Sequence, residues 1–191
     1  MIELKTPLKK EDIKKLKLGD EVVLTGSIFT ARDKAHIKAI KDGLPFNAEG
    51  LAVYHCGPII KGKEVIAAGP TTSSRMNSLE ADFIKKTKIK AVIGKAGMDE
   101  NVTRAMKKLD CVYLAFTGGA AQLAAKGIKN IEGVYWKELG MAEAIWLLKA
   151  EKFGPMIVAI TNGKSLFIEN NKKVLRNFKE ISGTSLKFRK F

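Results

Sequence analysis

Cysteine, histidine, glutamine and arginine are all scarce in this chain of 191 residues, and each scarcity excludes something. Two cysteines, Cys56 and Cys111, cannot build a disulfide framework or a cysteine-only metal site. The neighbouring pair His55-Cys56 is no metal site either, and a cysteine in an apolar run reads as core. No ligand set for a metal is therefore expected on this chain. No apolar run approaches the ~20 residues that span a bilayer, and the opening Met1-Ile-Glu-Leu-Lys lacks a secretory pattern. A soluble, cytoplasmic protein is the expectation. Gln122 is the one glutamine, and 29 Lys stand against 5 Arg. High lysine with little glutamine is the drift of proteins from hot-living organisms.

What is present suits a folded chain. Hydrophobic residues make up 46% and charged residues 28%, enough to bury a sizeable core. The formal net charge of +14 invites a nucleic-acid reading. Its best support is the tail from Lys172 to Phe191, whose basic residues face the single acid Glu180 and whose Phe178, Phe188 and Phe191 are able to stack on bases. Against it, no nucleic-acid motif is found, and arginine is the better residue for forked phosphate contacts. The balance favours a solvated lysine surface over a nucleic-acid footprint.

Along the chain, Leu8 to Leu18 reads as a short helix closed by Gly19-Asp20. Glu21 to Thr30 reads as a strand, with Gly26 marking a bulge or a close approach. Lys34 to Lys41 is helical, and two short strands follow at Leu51–Cys56 and Lys63–Ala68. Met76, Leu79, Phe83 and Ile84 fall at helical spacing. Ile89–Ile93, a glycine turn, a helix opened by Asp99, Cys111–Phe116, a second glycine turn and a further helix then give parallel βαβ logic. Near the end, Asn162-Gly163 between Met156–Thr161 and Ser165–Ile168 signals a hairpin. The prediction is one α/β domain over residues 1–191, a mixed sheet with βαβ units in the middle, followed by a polar, basic tail from 170 to 191.

Four turns carry polar residues where parallel strands end, the usual place for a ligand in such folds. Thr30-Ala-Arg-Asp-Lys-Ala-His36 leads into a helix bearing a histidine, the side chain best suited to proton transfer near neutral pH. Its Arg32 and Asp33 also read as a simple surface pair. Gly69-Pro-Thr-Thr-Ser-Ser-Arg-Met76 sets four hydroxyl residues and Arg75 at a helix start. A cation there opposes the helix dipole, so Arg75 is poorly placed for stability and well placed to grip an anion. Gly94-Lys-Ala-Gly-Met98 holds Lys95 in a tight turn without phosphate-loop spacing. Thr117-Gly-Gly-Ala-Ala121 allows close approach of a ligand, a strand or another subunit.

Together with His55-Cys-Gly-Pro-Ile59, Glu138-Leu-Gly-Met141 and Ala144-Ile-Trp146, these turns resemble, in order, the iron–sulfur (class I) fumarases and related L-tartrate dehydratases. The likeness is to their β subunit, equivalent to the C-terminal domain of single-chain members, and spans about residues 6–168. It implies a swivelling β/β/α domain and an α-subunit partner, in a heterodimer or α2β2 assembly, whose three cysteines hold a [4Fe–4S] cluster. It also implies a dicarboxylate substrate bound between subunits and no activity without the α subunit. By the same resemblance His36 is the catalytic histidine, relaying a proton or holding a carboxylate. Arg75 and Thr72 bind substrate, Lys95 and Gly119 border the site, and Thr103 stands nearest to a threonine used after the third loop. The family more often has glycine where this chain has Ala96. The form of Thr117–Ala121 favours fumarate and (S)-malate as the substrate pair, with L(+)-tartrate as the alternative.

Overall fold

The computed structural model describes residues 1–182. Strands are β1 (Ile2–Lys5), β2 (Glu21–Thr30), β3 (Ala52–Tyr54), β4 (Ile59–Lys61), β5 (Glu64–Ala67), β6 (Ala91–Gly94), β7 (Val112–Ala115), β8 (Ile128–Tyr135), β9 (Ile145–Thr161) and β10 (Lys164–Ser165). Helices are α1 (Lys10–Lys15), α2 (Asp33–Asp42), α3 (Asn77–Thr87), α4 (Glu100–Leu109), α5 (Ala121–Lys126) and α6 (Leu166–Ser182).

The fold is mixed α/β. β2, β3, β6 and β7 run parallel in that order, and the antiparallel β9 pairs with both β7 and β2. The pairings therefore return to their start, and the five strands form a barrel-like ring. β1 extends β2 in parallel, while β8 lies antiparallel against the first half of β9. β4 and β5 make a separate hairpin.

Period-2 alternation sorts the strand side chains into two clusters. Leu24, Ile28, Tyr54, Ile93, Leu114 and Phe153 join one. Phe29, Val53, Val92 and Tyr113 join the other, against Ala35 and Ala39 of α2, Phe83 and Ile84 of α3, and Val102 and Met106 of α4. β3 and β6 are buried throughout, as expected of parallel strands covered on both faces.

Several local expectations are met. Asp99 caps α4, its side chain accepting from the Val102 N–H at 2.9 Å. At Gly26, φ is +119° and a Cβ would lie 2.2 Å from Thr6 Oγ1, so the strand there is both bulged and closely approached. Lys164 pairs with Thr161 across Asn162-Gly163. One expectation is corrected: Ser165–Ile168 is not a strand. Pairing ends at Ser165 and α6 begins at Leu166, because Phe167, Val174, Phe178 and Ile181 repeat at helical spacing. The helix takes in much of the stretch expected as a polar tail. The tail residues Lys187, Phe188, Arg189, Lys190 and Phe191 lie outside the described residues.

Candidate functional site

The ring places the ends of four parallel strands on one side. β2 exits through Arg32 and Asp33, β3 through His55, β6 through Lys95 and β7 through Thr117 to Gly119. Between the exits of β3 and β6 the segment Pro70–Ser73 is stitched in like a short strand. The Thr71 N–H donates to the His55 carbonyl at 2.6 Å, the Lys95 N–H to the Thr71 carbonyl at 3.3 Å, and the Ser73 N–H to the Lys95 carbonyl at 2.9 Å. Thr72 consequently bridges Lys95, and Cys56 bridges Pro70.

This stitching brings together most of the residues singled out in the sequence. Thr72 and Lys95 are neighbours and half-buried. A Cβ at Gly118 would sit 3.7 Å from Lys95 Cδ, so the Lys95 side chain runs along the Thr117–Gly119 turn, where exposed Gly119 has φ +80°. Arg75 lies in a single 3-10 turn before α3, its side chain 52% exposed and paired to Asp33. Arg32 is more enclosed, with Nε 3.5 Å from Glu143. Glu143 also accepts the Lys34 N–H at 3.0 Å, filling one unpaired donor at the start of α2. Thr103 is not part of this group. It is buried in the first turn of α4, its hydroxyl donating to the Asp99 carbonyl at 2.8 Å.

His36 lies behind the exposed set. Its ring is fully buried, its centroid 4.1 Å from that of the tilted Phe83 ring, with Nδ1 2.8 Å from the Arg32 carbonyl. A carbonyl only accepts, so Nδ1 carries the hydrogen. Nε2 faces Glu80 Oε2 at 3.3 Å, and His55 Nε2 faces the same oxygen at 3.1 Å. All three side chains have no exposed surface. The chain of contacts continues outward: His55 Nδ1 is 2.9 Å from Ser73 Oγ, which accepts from the Tyr113 hydroxyl at 2.9 Å. Burial alone would raise the Glu80 carboxyl, but the two imidazoles outweigh it and hold the group at about 2. Burial pushes His55 below the ordinary imidazole value.

Glu80 and Tyr113 were not singled out in the sequence. Glu80 left a signal nonetheless, since it falls on the same helical face as Met76, Phe83 and Ile84, where a charge needs a partner. Tyr113 sits inside an apolar strand and left none.

The two cysteines do not fit an iron–sulfur cluster. Three thiolates are wanted where two thiols exist, and both are buried in the core. Among the described residues no helix is long and apolar enough to cross a membrane.

The profile of the family described as "Fumarase C-terminus" matches residues 1–170. A chain from Methanocaldococcus jannaschii named "Putative L(+)-tartrate dehydratase subunit beta" is 45% identical over 187 residues, covering 92% of this chain and 96% of the relative. The L(+)-tartrate dehydratase subunit beta of Escherichia coli is 41% identical over 176 residues, 88% of each chain. A Geobacillus stearothermophilus protein named "Putative fumarate hydratase class I" is 38% identical over 185 residues, 94% of this chain but 36% of the longer relative. On this likeness, which runs through every turn of the stitched site, the chain belongs to the Fumarase C-terminus family.

Proposed function

We propose that this chain is the β subunit of a two-subunit hydro-lyase acting on a dicarboxylate, with L(+)-tartrate as its substrate. The observation that carries the reading is the 41% identity to the Escherichia coli tartrate dehydratase subunit over 88% of both chains. It reverses the preference for fumarate drawn from Thr117–Ala121. That turn is exposed, and a Cβ at Gly119 would meet nothing within 4 Å.

Loss of water from tartrate removes a proton from the carbon beside one carboxylate and a hydroxyl from the next carbon, leaving the enol of oxaloacetate. Negative charge builds on the carboxylate as the proton leaves. Cations held nearby therefore bind the transition state harder than the substrate. Arg75 and Lys95 supply that charge, and the Thr71 and Thr72 hydroxyls add directed hydrogen bonds. His36 is assigned to holding this set in place, through Glu80, His55 and Ser73. Gly119 leaves room beside Lys95, and Thr103 takes no part. The [4Fe–4S] cluster, which this chain cannot hold, falls to an α subunit in a heterodimer or α2β2 assembly. A single swivelling β/β/α domain, working in the cytoplasm, completes the reading.

The second reading is fumarate hydratase, supported by the 38% identity to the class I protein. Anaerobic co-expression with a cluster-bearing α subunit tests both. The expected result is a higher kcat/KM for L(+)-tartrate than for (S)-malate, and the reverse order selects fumarate hydratase. No α-subunit complex, together with salt-resistant, sequence-selective oligonucleotide binding, overturns the hydro-lyase reading in favour of a nucleic-acid binder.

A further inference from the structure

Four buried donor atoms meet where α2, α3 and the end of β3 come together: His36 Nε2, His55 Nε2 and both oxygens of Glu80. Glu80 Oε2 is in ion-pair contact with both ring nitrogens, at 3.3 and 3.1 Å, but none of the four atoms makes a hydrogen bond of full geometry. A buried charge held only by such loose contacts is costly in a dry interior. The tautomers sharpen the problem. The Arg32 carbonyl fixes a hydrogen of His36 on Nδ1, so Nε2 is the ring atom turned toward the carboxylate. A positive centre shared by both rings and Glu80 fits between them.

We propose that His36, His55 and Glu80 bind a divalent transition-metal ion of the zinc class. The contacts of 3.1 and 3.3 Å from Glu80 Oε2 to the two ring nitrogens match two edges of a tetrahedron, and the ligand atoms all lie within 4.8 Å of one another. Bonds of ~2.0–2.1 Å at tetrahedral angles set donors about 3.3 Å apart. Two imidazoles and a carboxylate suit zinc, and Glu80 binding through both oxygens would close a distorted four-coordinate site. The outer contacts are those that metal-binding histidines keep: His36 Nδ1 on a backbone carbonyl and His55 Nδ1 on the Ser73 hydroxyl. The ion would be structural. It would tie two helices and a strand end directly behind Thr71 to Arg75, and it is independent of which dicarboxylate is bound.

The untagged full chain, which has only these two histidines, is stripped with a chelator and titrated with Co2+. Expected are uptake of one equivalent, the visible bands of tetrahedral cobalt without a thiolate charge-transfer band, and two exchangeable, paramagnetically shifted imidazole N–H resonances. Zn2+ should displace the cobalt and raise Tm by several degrees over the stripped chain. Glu80→Gln should weaken uptake more than about 100-fold, since even outer partners of metal ligands are worth ~10–100-fold. A wild-type chain that takes up no Co2+ overturns the site, as does a thiolate band or a folded Glu80→Gln variant that keeps the tetrahedral spectrum. The two imidazole resonances decide the matter on the wild-type chain if the variant does not fold.

Discussion

A single nitrogen of Arg75, Nη2, lies 3.1 Å from both carboxylate oxygens of Asp33. The pair explains how a cation tolerates the start of α3, where the helix dipole opposes it: an acid from the start of α2 neutralises it. One nitrogen carries both contacts, so the rest of the guanidinium fork remains available to a ligand.

Replacing that fork is the most direct test of the anion site. Arg75→Lys keeps the charge and loses the planar, two-pronged donor set. In the assembled enzyme kcat/KM should fall by roughly ten-fold or more, the loss of a charge-assisted hydrogen bond of about 1.5–3 kcal/mol. Tm should hardly move, because half-exposed ion pairs contribute little to stability. Unchanged kinetics would remove Arg75 from the substrate set.

The thiols offer a second test. Burial pushes Cys56 up to about 12 and raises Cys111 as well, so neither is a thiolate near neutral pH. A thiol-labelling reagent should modify neither in the native chain and both after denaturation. Iron and sulfide added to the chain alone should give no absorption near ~400 nm. These thiols ionise more easily unfolded, at about 8.5, than folded. Their contribution to stability is thus complete below that pH and is lost as pH rises toward about 12. Tm should fall with pH across the alkaline range, and less steeply in Cys56→Ala. Labelling of the native chain would place a thiol at the surface.

The loop after β6 gives a pair of opposite expectations. Ala96 has φ +67°, a left-handed conformation that costs an L-residue ~1–2 kcal/mol. Ala96→Gly should stabilise the chain by about 0.5–1 kcal/mol, part of the relief being offset by unfolded-state entropy. Two residues earlier, a Cβ on Gly94 would lie 2.0 Å from Ser73 Oγ and 3.3 Å from the Tyr113 hydroxyl. Gly94→Ala should cost about 1–3 kcal/mol by overpacking and disturb the contact to His55. Chemical denaturation of both variants checks the signs.

These loops also show what a sequence discloses. Glycine turns and buried β runs announced the parallel strands, because such strands are apolar on both faces and end at ligand-facing turns. Ala96 was legible in the sequence as a departure from the family's usual glycine, but its positive φ was not, since φ depends on how the loop packs. β9 was only half visible. Its last residues, Met156 to Thr161, read as a strand, but its start at Ile145 did not, and a 17-residue strand exceeds what local periodicity suggests. Glu80 shows the limit most clearly: a charge on an apolar helical face says that a partner exists, but His36 and His55 come from other elements, and only the closed sheet brings them near.

That closure has a consequence for how the chain is made. β2 leaves the ribosome early, but its partner across the seam, β9, is among the last strands; Glu21 waits for Ile157. At ~5–20 residues per second the delay is roughly 7–30 s. Throughout it β2, and from its own synthesis onward β7, present an unsatisfied row of backbone groups, a template for pairing with another nascent chain. A ribosome that stops before residue 145 therefore releases a sticky, open sheet, not a smaller working subunit.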